Sequence, residues 1–178
     1  MKIYLCGAQG TGKTTILNEL RQFSLFKDFK FLTEVSRNLN LQHNIPINKE
    51  STNETQLLIY NKYLELFLLN DDFISDRSLI DVLSYTNYFY KTLDKIDRWV
   101  IEIQNEIFNN LKNKIDGIYF YFPIEFEVKK DKHRSDDSIY QAKIDNNILS
   151  YLSYYQIPYI EVKGTIKERT EIILANIK

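Results

Sequence analysis

The run Gly7-Ala8-Gln9-Gly10-Thr11-Gly12-Lys13-Thr14 fits the pattern G-x-x-x-x-G-K-[ST] at every fixed position. Lys2 to Cys6 just before it reads as a short apolar strand, and Thr15 to Leu20 just after it has helical spacing. Strand, glycine-rich turn and helix form the context that separates a phosphate-binding loop from a chance match. The glycines let backbone N–H groups turn inward around phosphate oxygens, and the helix N-terminus adds the positive end of its dipole. Residues Gly7 to Thr15 are therefore expected to hold a nucleoside triphosphate. Lys13 is expected to reach the β- and γ-phosphates, and the Thr14 hydroxyl to sit on Mg²⁺.

At 178 residues the chain is expected to form one domain, 1–178, with a full core. A formal net charge of −1 argues against a broad basic face for nucleic acid, while leaving room for a local basic patch. Cys6 is the sole cysteine, which excludes an internal disulfide and any cysteine-based metal site. No apolar run approaches the roughly 18 residues of a membrane span. The N-terminus passes straight into a strand, so no leader is expected and the expected setting is cytoplasmic. The 13 tyrosines and 11 phenylalanines read mainly as core packing, with a few left to line a slot for a flat base.

Strands are expected at 2–6, 30–35, 73–76, 118–122 and 158–162. Helices are expected at 13–24, from the mid-30s to about 41, at 51–69, 78–90 and 94–113, from about 137 to 155, and after Thr165. Ser51-Thr52-Asn53-Glu54 reads as a capping box, as do Ser78 with Asp81 and Thr165 with Glu168. Alternating strands and helices predict an α/β fold: a parallel five-stranded sheet between two helical layers. Ligands in such sheets bind beyond the carboxyl ends of the strands. The phosphate loop, Glu34, Asp76 and the basic stretch after Pro123 all start there, which points to one active site.

Three classes of triphosphate chemistry compete. Asn113-Lys114-Ile115-Asp116 spells a guanine-reading N-K-x-D, but it ends a polar helix instead of following a strand, and no glycine has an Asp three residues before it. A switch GTPase is thus disfavoured. A motor or remodelling ATPase needs a long apolar strand ending in paired acids, and Phe73 to Asp76 offers one acid on a brief strand. A small phosphotransferase needs a cradle, a carboxylate near the acceptor, an arginine on the developing charge, and a lid. Glu34 can accept the acceptor's proton or orient it, and Arg37 three residues on can bind an acceptor phosphate; their structural alternatives are a helix-start acid and a surface ion pair. Asp76 stands where a carboxylate holds Mg²⁺, and Arg77 can face phosphate or acceptor. Asp81 is a substrate candidate whose structural alternative is the cap of the helix after Ser78. The lid candidate spans about 124–136 and carries Lys129, Lys130, Lys132 and Arg134, of which Arg134 best matches phosphate oxygens. His43 and His133 have no metal or triad spacing and are expected at the surface.

Together the phosphate loop, Glu34, Asp76-Arg77-Ser78, the basic lid and the terminal Val162-Lys163-Gly164 loop resemble P-loop nucleoside and nucleotide kinases. They look most like the ribosylnicotinamide kinase part of NadR-type proteins, with deoxynucleoside kinases and thymidylate kinases further away. The resemblance implies a P-loop NTPase fold, ATP and Mg²⁺ as cofactors, and a small nucleoside or nucleotide as acceptor. The alternative acceptor is a polynucleotide end or a modified base in DNA, which the near-neutral charge disfavours. The resemblance implies further that Lys163 and Gly164, with Thr165, flank the adenine. It also implies that Asp131 to Arg134 is the lid segment, although Lys132 replaces a usual glycine. A homodimer is compatible with such a chain.

Overall fold

The computed structural model describes residues 1–47, 50–125 and 138–177. Strand β1 (Lys2–Cys6) sits at the centre and shows how the layers arise. Its side chains alternate between two cores, as a strand buried on both faces requires. Ile3 and Leu5 enter one core, and Tyr4 and Cys6 enter the other. β3 (Phe73–Ser75) and β4 (Ile118–Tyr121) flank β1 and repeat the alternation: Ile74 and Phe120 join Ile3, while Phe73, Tyr119 and Tyr121 join Tyr4. β2 (Lys30–Leu32) and β5 (Tyr159–Glu161) complete a fully parallel sheet of order β2-β3-β1-β4-β5.

Helices α1 (Lys13–Leu20) and α7 (Ile166–Ala175) cover the first face through Ile16, Leu17, Leu20 and Ile173. The second face carries α2 (Val35–His43), α3 (Asn53–Leu69), α4 (Leu79–Lys91), α5 (Arg98–Leu111) and α6 (Ser138–Tyr154). This is the three-layer α/β arrangement expected from the alternation of elements. The aromatic excess goes mostly into this second core. The Tyr4 ring lies 4.7 to 5.4 Å from the rings of Phe67, Phe73 and Tyr119, and its hydroxyl donates to Ile115 O at 2.7 Å. A buried hydroxyl needs such a partner, and the ring contacts add to the area buried.

Several boundaries depart from the sequence expectation for local reasons. The first helix stops at Leu20, not 24, because the N–H groups of Gln22 and Phe23 bond back three residues, to Glu19 and Leu20, tightening the turn so that Phe26 can enter the core. β2 ends at Leu32, not 35, because its partner β3 ends at Ser75, and Glu34 then takes a left-handed conformation. The cap of α3 is Thr52, not Ser51: Thr52 Oγ1 accepts from Thr55 N at 3.4 Å, while the Ser51 side chain is buried. The helix expected from residue 94 begins at Arg98, after Asp94 at φ 50° and the cap Asp97. The Asn113-to-Asp116 run lies just before β4, with Lys114 O accepting from Lys2 Nζ at 2.8 Å, so it stands at the amino edge of the sheet. A base reader would have to stand at the opposite edge.

Gly117 leads into β4 where two strands approach closely: an added Cβ would lie 2.4 Å from Lys2 O and 2.9 Å from Tyr4 Cε2. Gly117→Ala is expected to lower folding stability by about 1–3 kcal/mol through overpacking, read from the denaturation midpoint. Ligand affinity per folded molecule should not change, because the position is remote from the carboxyl edge. An unaltered midpoint would show that β1 and β4 separate there at no cost.

Candidate active site

β1 delivers Cys6 to the carboxyl edge, and the chain loops through Gly7 to Gly12 before α1 begins. Gly12 caps α1 with φ 90°, a left-handed value that a side chain would strain. Lys13 folds back into its own loop. Its Nζ donates to Gly7 O at 2.7 Å, to Ala8 O at 2.6 Å and to Thr11 Oγ1 at 3.1 Å. Burial lowers its pKa to about 8, with the charge of Arg77 adding to the effect and Asp81 and Asp76 opposing it. Thr14 is half-buried on the first turn of α1, and Thr15 is exposed. All residues expected to cradle phosphate therefore fall on one turn.

Helices on the second face grip that turn. Asp81 on α4 accepts from Gly7 N at 3.0 Å, and its other oxygen accepts from Ser78 N at 2.8 Å and Ser78 Oγ at 2.7 Å. It has no exposed surface, and both oxygens accept hydrogen bonds inside the protein, as its structural alternative as a cap requires. Tyr85, one turn on, donates to Gln9 Oε1 at 2.8 Å, and its ring carries the Arg77 guanidinium 4.7 Å from the centroid. Gln141 on α6 donates to Gln9 O at 2.7 Å. Asp145, one turn further on α6, accepts from Tyr121 Oη at 2.7 Å, and burial raises its pKa while Lys13 opposes the shift. On the other face, Arg169 Nη1 donates to Thr11 O at 2.7 Å.

The carboxyl ends of β2 and β3 bring the other expected residues together. Asp76 Oδ2 accepts from the backbone N–H of Glu34 at 3.3 Å. This bond accompanies φ 58° and ψ 24° at Glu34, a conformation that costs a non-glycine residue on the order of 1–3 kcal/mol. Arg37 Nη1 pairs with Glu34 Oε2 at 2.6 Å, the half-exposed ion pair named as its structural alternative. Arg77 Nη1 lies 4.0 Å from Asp81 Oδ1 and makes no hydrogen bond among the described residues. Tyr63 on α3 comes within hydrogen-bonding reach of Ser36 on α2, and its burial pushes its pKa up. α2, α3 and the Asp76-Arg77 turn thus adjoin one another beyond these strand ends. A groove of about 250 Å³ at the free edge of β2, lined by Leu32, Thr33, Asn38, Leu39 and Lys62, shares no residue with the phosphate loop.

The donor set suits Mg²⁺. Asp76 Oδ1 is buried without a hydrogen-bond partner among the described residues, and burial raises its pKa. The Arg77 and Lys13 charges counter that shift only in part, and Thr14 supplies a hydroxyl on the first turn of α1, which follows the adjacent strand β1. Among the described residues no group of three His, Cys, Asp or Glu side chains could hold a metal alone. Mg²⁺ habitually takes one or two carboxylates and completes its shell with waters and phosphates.

Beyond β5, Lys163 is exposed and pairs with Glu161, while Gly164 N donates to Glu125 at 3.0 Å. Arg134 and Lys132, with most of the lid expected at 124–136, lie outside the described residues, as does His133. His43 is exposed at the end of α2. Sequence reasoning missed Tyr85, Glu125, Gln141, Asp145 and Arg169. For Gln141 and Asp145 a signal existed: two polar residues one turn apart beside Ile144 and Ile148 on the buried face of a helix. Among the described residues no helix is long and apolar enough to cross a membrane.

A family profile described as AAA domain matches residues 2–169. No curated protein sequence matches the chain. Among solved structures, deoxyadenosine kinase from M. mycoides with products dCMP and a flexible dCDP bound superimposes with a TM-score of 0.70 at 19% identity, covering 98% of this chain and 97% of that one. NadR protein in complex with NR gives a TM-score of 0.73 at 12% identity, over 98% of this chain and 50% of that one. Thymidylate kinase from Candida albicans gives 0.62 at 18% identity, over 98% and 89%. The chain belongs to the AAA domain family, and its fold is that of the P-loop nucleoside and nucleotide kinases.

Proposed function

We propose that the chain is an ATP- and Mg²⁺-dependent phosphotransferase acting on a nucleoside or a nucleotide. The observation that carries this reading is Glu34. A carboxylate held in a strained left-handed turn by Asp76, at the same sheet edge as the phosphate loop, has no use in hydrolysis-driven motion but suits a second substrate. In the proposed reaction an acceptor oxygen forms a bond to the γ-phosphorus, the bond from that phosphorus to the β,γ-bridging oxygen breaks, and ADP leaves. Where the acceptor is a hydroxyl, its proton passes to Glu34, which Arg37 holds at the mouth of the site.

Lys13 and Arg77 are the cations for the charge that spreads over the transferring group, and Arg134 is proposed to join them from the lid. Thr14 and Asp76 would hold Mg²⁺, which neutralises phosphate charge when bound. Lys163 and Gly164 are proposed to border the adenine. The solved kinases with this fold are named for a deoxynucleoside and for thymidylate, and NadR was solved with NR, so the acceptor screen should include deoxynucleosides, thymidylate and nicotinamide riboside. Short DNA belongs in it as a polynucleotide acceptor, which the net charge of −1 disfavours.

Transfer of label from ATP to one of these compounds is the direct test; hydrolysis to water alone, whatever is supplied, would sink the reading. Lys13→Ala is expected to abolish transfer with the fold retained, checked by circular dichroism. Glu34→Gln is expected to lower turnover by about 10²-fold with ATP affinity unchanged, because a positioned general base contributes about that much. Equal loss of both would reassign Glu34 to nucleotide binding. Asp76 and Asp81 should separate cleanly in denaturation. Asp81→Ala strands the Gly7 amide and the Ser78 amide and hydroxyl in a dry site, for an expected loss of about 3 kcal/mol or more. Asp76→Asn relieves the desolvation of a buried carboxylate but gives up its attraction to Arg77 and Lys13, so stability is expected to change by less than about 1 kcal/mol while Mg²⁺-dependent turnover collapses.

A further inference from the structure

A buried arginine outside the phosphate loop joins three segments of the candidate nucleotide site. Thr165 and Glu168 form a capping box at the start of α7: Thr165 N donates to Glu168 Oε2 at 2.8 Å, and Glu168 N donates to Thr165 Oγ1 at 3.3 Å. The box fixes the first helical turn, and Arg169 is the next residue. Its side chain is 2% exposed and turns back to the carboxyl edge of the sheet. Nη1 donates to Thr11 O in the phosphate loop at 2.7 Å, and Nε donates to Gly164 O in the β5–α7 loop at 2.8 Å. Nη2 donates to the Glu125 carboxylate just beyond β4. Glu125 in turn accepts from Gly164 N at 3.0 Å. The Arg169 guanidinium also lies 5.7 Å from the Phe122 ring centroid.

One planar cation thus fixes Thr11 and Gly164 relative to each other, and one carboxylate braces it. Cohesion alone does not call for this device, since apolar residues of similar volume stabilise a buried site as well as an ion pair does. α7 is already anchored by Ile173 in the apolar core. What the ion pair adds is geometry: a guanidinium presents its donors in a rigid fork and keeps its charge at any working pH.

We propose that Arg169 and Glu125 are a positioning pair that sets the spacing between the phosphate loop and the β5–α7 loop, so that the phosphates and the base of one nucleotide are bound in register. Among the described residues the pair reaches the backbone of Thr11 and Gly164, and it acts through them. This inference rests on the reading of the edge as a nucleotide site, and it is independent of which acceptor is phosphorylated.

Calorimetric titration with ATP and with inorganic tripolyphosphate, both with Mg²⁺, tests it. The parent protein is expected to bind ATP more tightly than tripolyphosphate. Glu125→Ala releases Gly164 and the outer side of Arg169 while the bond to Thr11 stays. ATP affinity is expected to fall about tenfold, the scale of a lost charged hydrogen bond, with tripolyphosphate affinity unchanged. Glu125→Gln keeps an oxygen for Gly164 N and should restore most of the ATP affinity. Arg169→Lys removes the fork and is expected to weaken both ligands; if it does not fold, the two Glu125 variants decide alone. Equal weakening of both ligands by Glu125→Ala, or no weakening of ATP, would overturn the pair's positioning role. A parent that takes up neither ligand would overturn the nucleotide reading and the pair with it. A parent that binds ATP, responds as described and phosphorylates no acceptor would overturn the kinase reading alone.

Discussion

The Asp81 carboxylate ties the catalytic edge together. A charge with no exposed surface is costly unless donors surround it, and here they do: Gly7 N–H, Ser78 N–H and the Ser78 hydroxyl, with the Arg77 guanidinium 4.0 Å away. Those donors come from the exit of β1 and the start of α4, so neither can shift without stranding the charge. Everything ligand-facing hangs from these two points. Lys13 takes its position from the Gly7 and Ala8 carbonyls, and Asp76 and Arg77 take theirs from the turn that Ser78 closes.

Much of this was legible in the sequence, and the limits are instructive. The phosphate loop could be read because its glycines and lysine are constrained locally, by the ligand's shape and the turn's backbone. The five parallel strands could be read because alternation with helices leaves little topological freedom. Strand ends were less accurate: β2 stops where β3 runs out of partners, which no property of Thr33 or Glu34 announces. Asp81 shows the same gap from the other side. Its spacing from Ser78 identified a capping box, but its second task, holding Gly7 across 74 positions of sequence, exists only in three dimensions. Arg169 reaches Thr11 across 158 positions and was invisible for the same reason.

Three acids lie within electrostatic reach of Lys13, and their chemistry is set by partners, not by residue type. Asp81 spends both oxygens on internal donors. Asp145 spends one on the Tyr121 hydroxyl, and Asp76 spends one on the Glu34 amide. Asp76 and Asp145 each keep a buried oxygen with no hydrogen-bond partner among the described residues. Burial raises the pKa of both carboxyls, and the nearby Lys13 charge opposes it. A hard cation arriving with phosphates would relieve that cost at Asp76, at the end of β3, where Thr14 supplies a neighbouring hydroxyl.

The two parts of the carboxyl edge are held with unequal firmness. The phosphate loop is gripped from three directions: by Asp81 and Tyr85 on α4, by Gln141 on α6, and by Arg169 on α7, with bonds of 2.7 to 3.0 Å. Preorganisation there is what stabilises developing charge without reorganisation during the reaction. At the end of β2, Glu34 is held by one 3.3 Å bond from its backbone amide and by a half-exposed ion pair, on a turn that already carries backbone strain. Strain and few bonds leave the backbone of this turn dependent on the packing of α2, which starts from it, whereas the phosphate loop has its own supports.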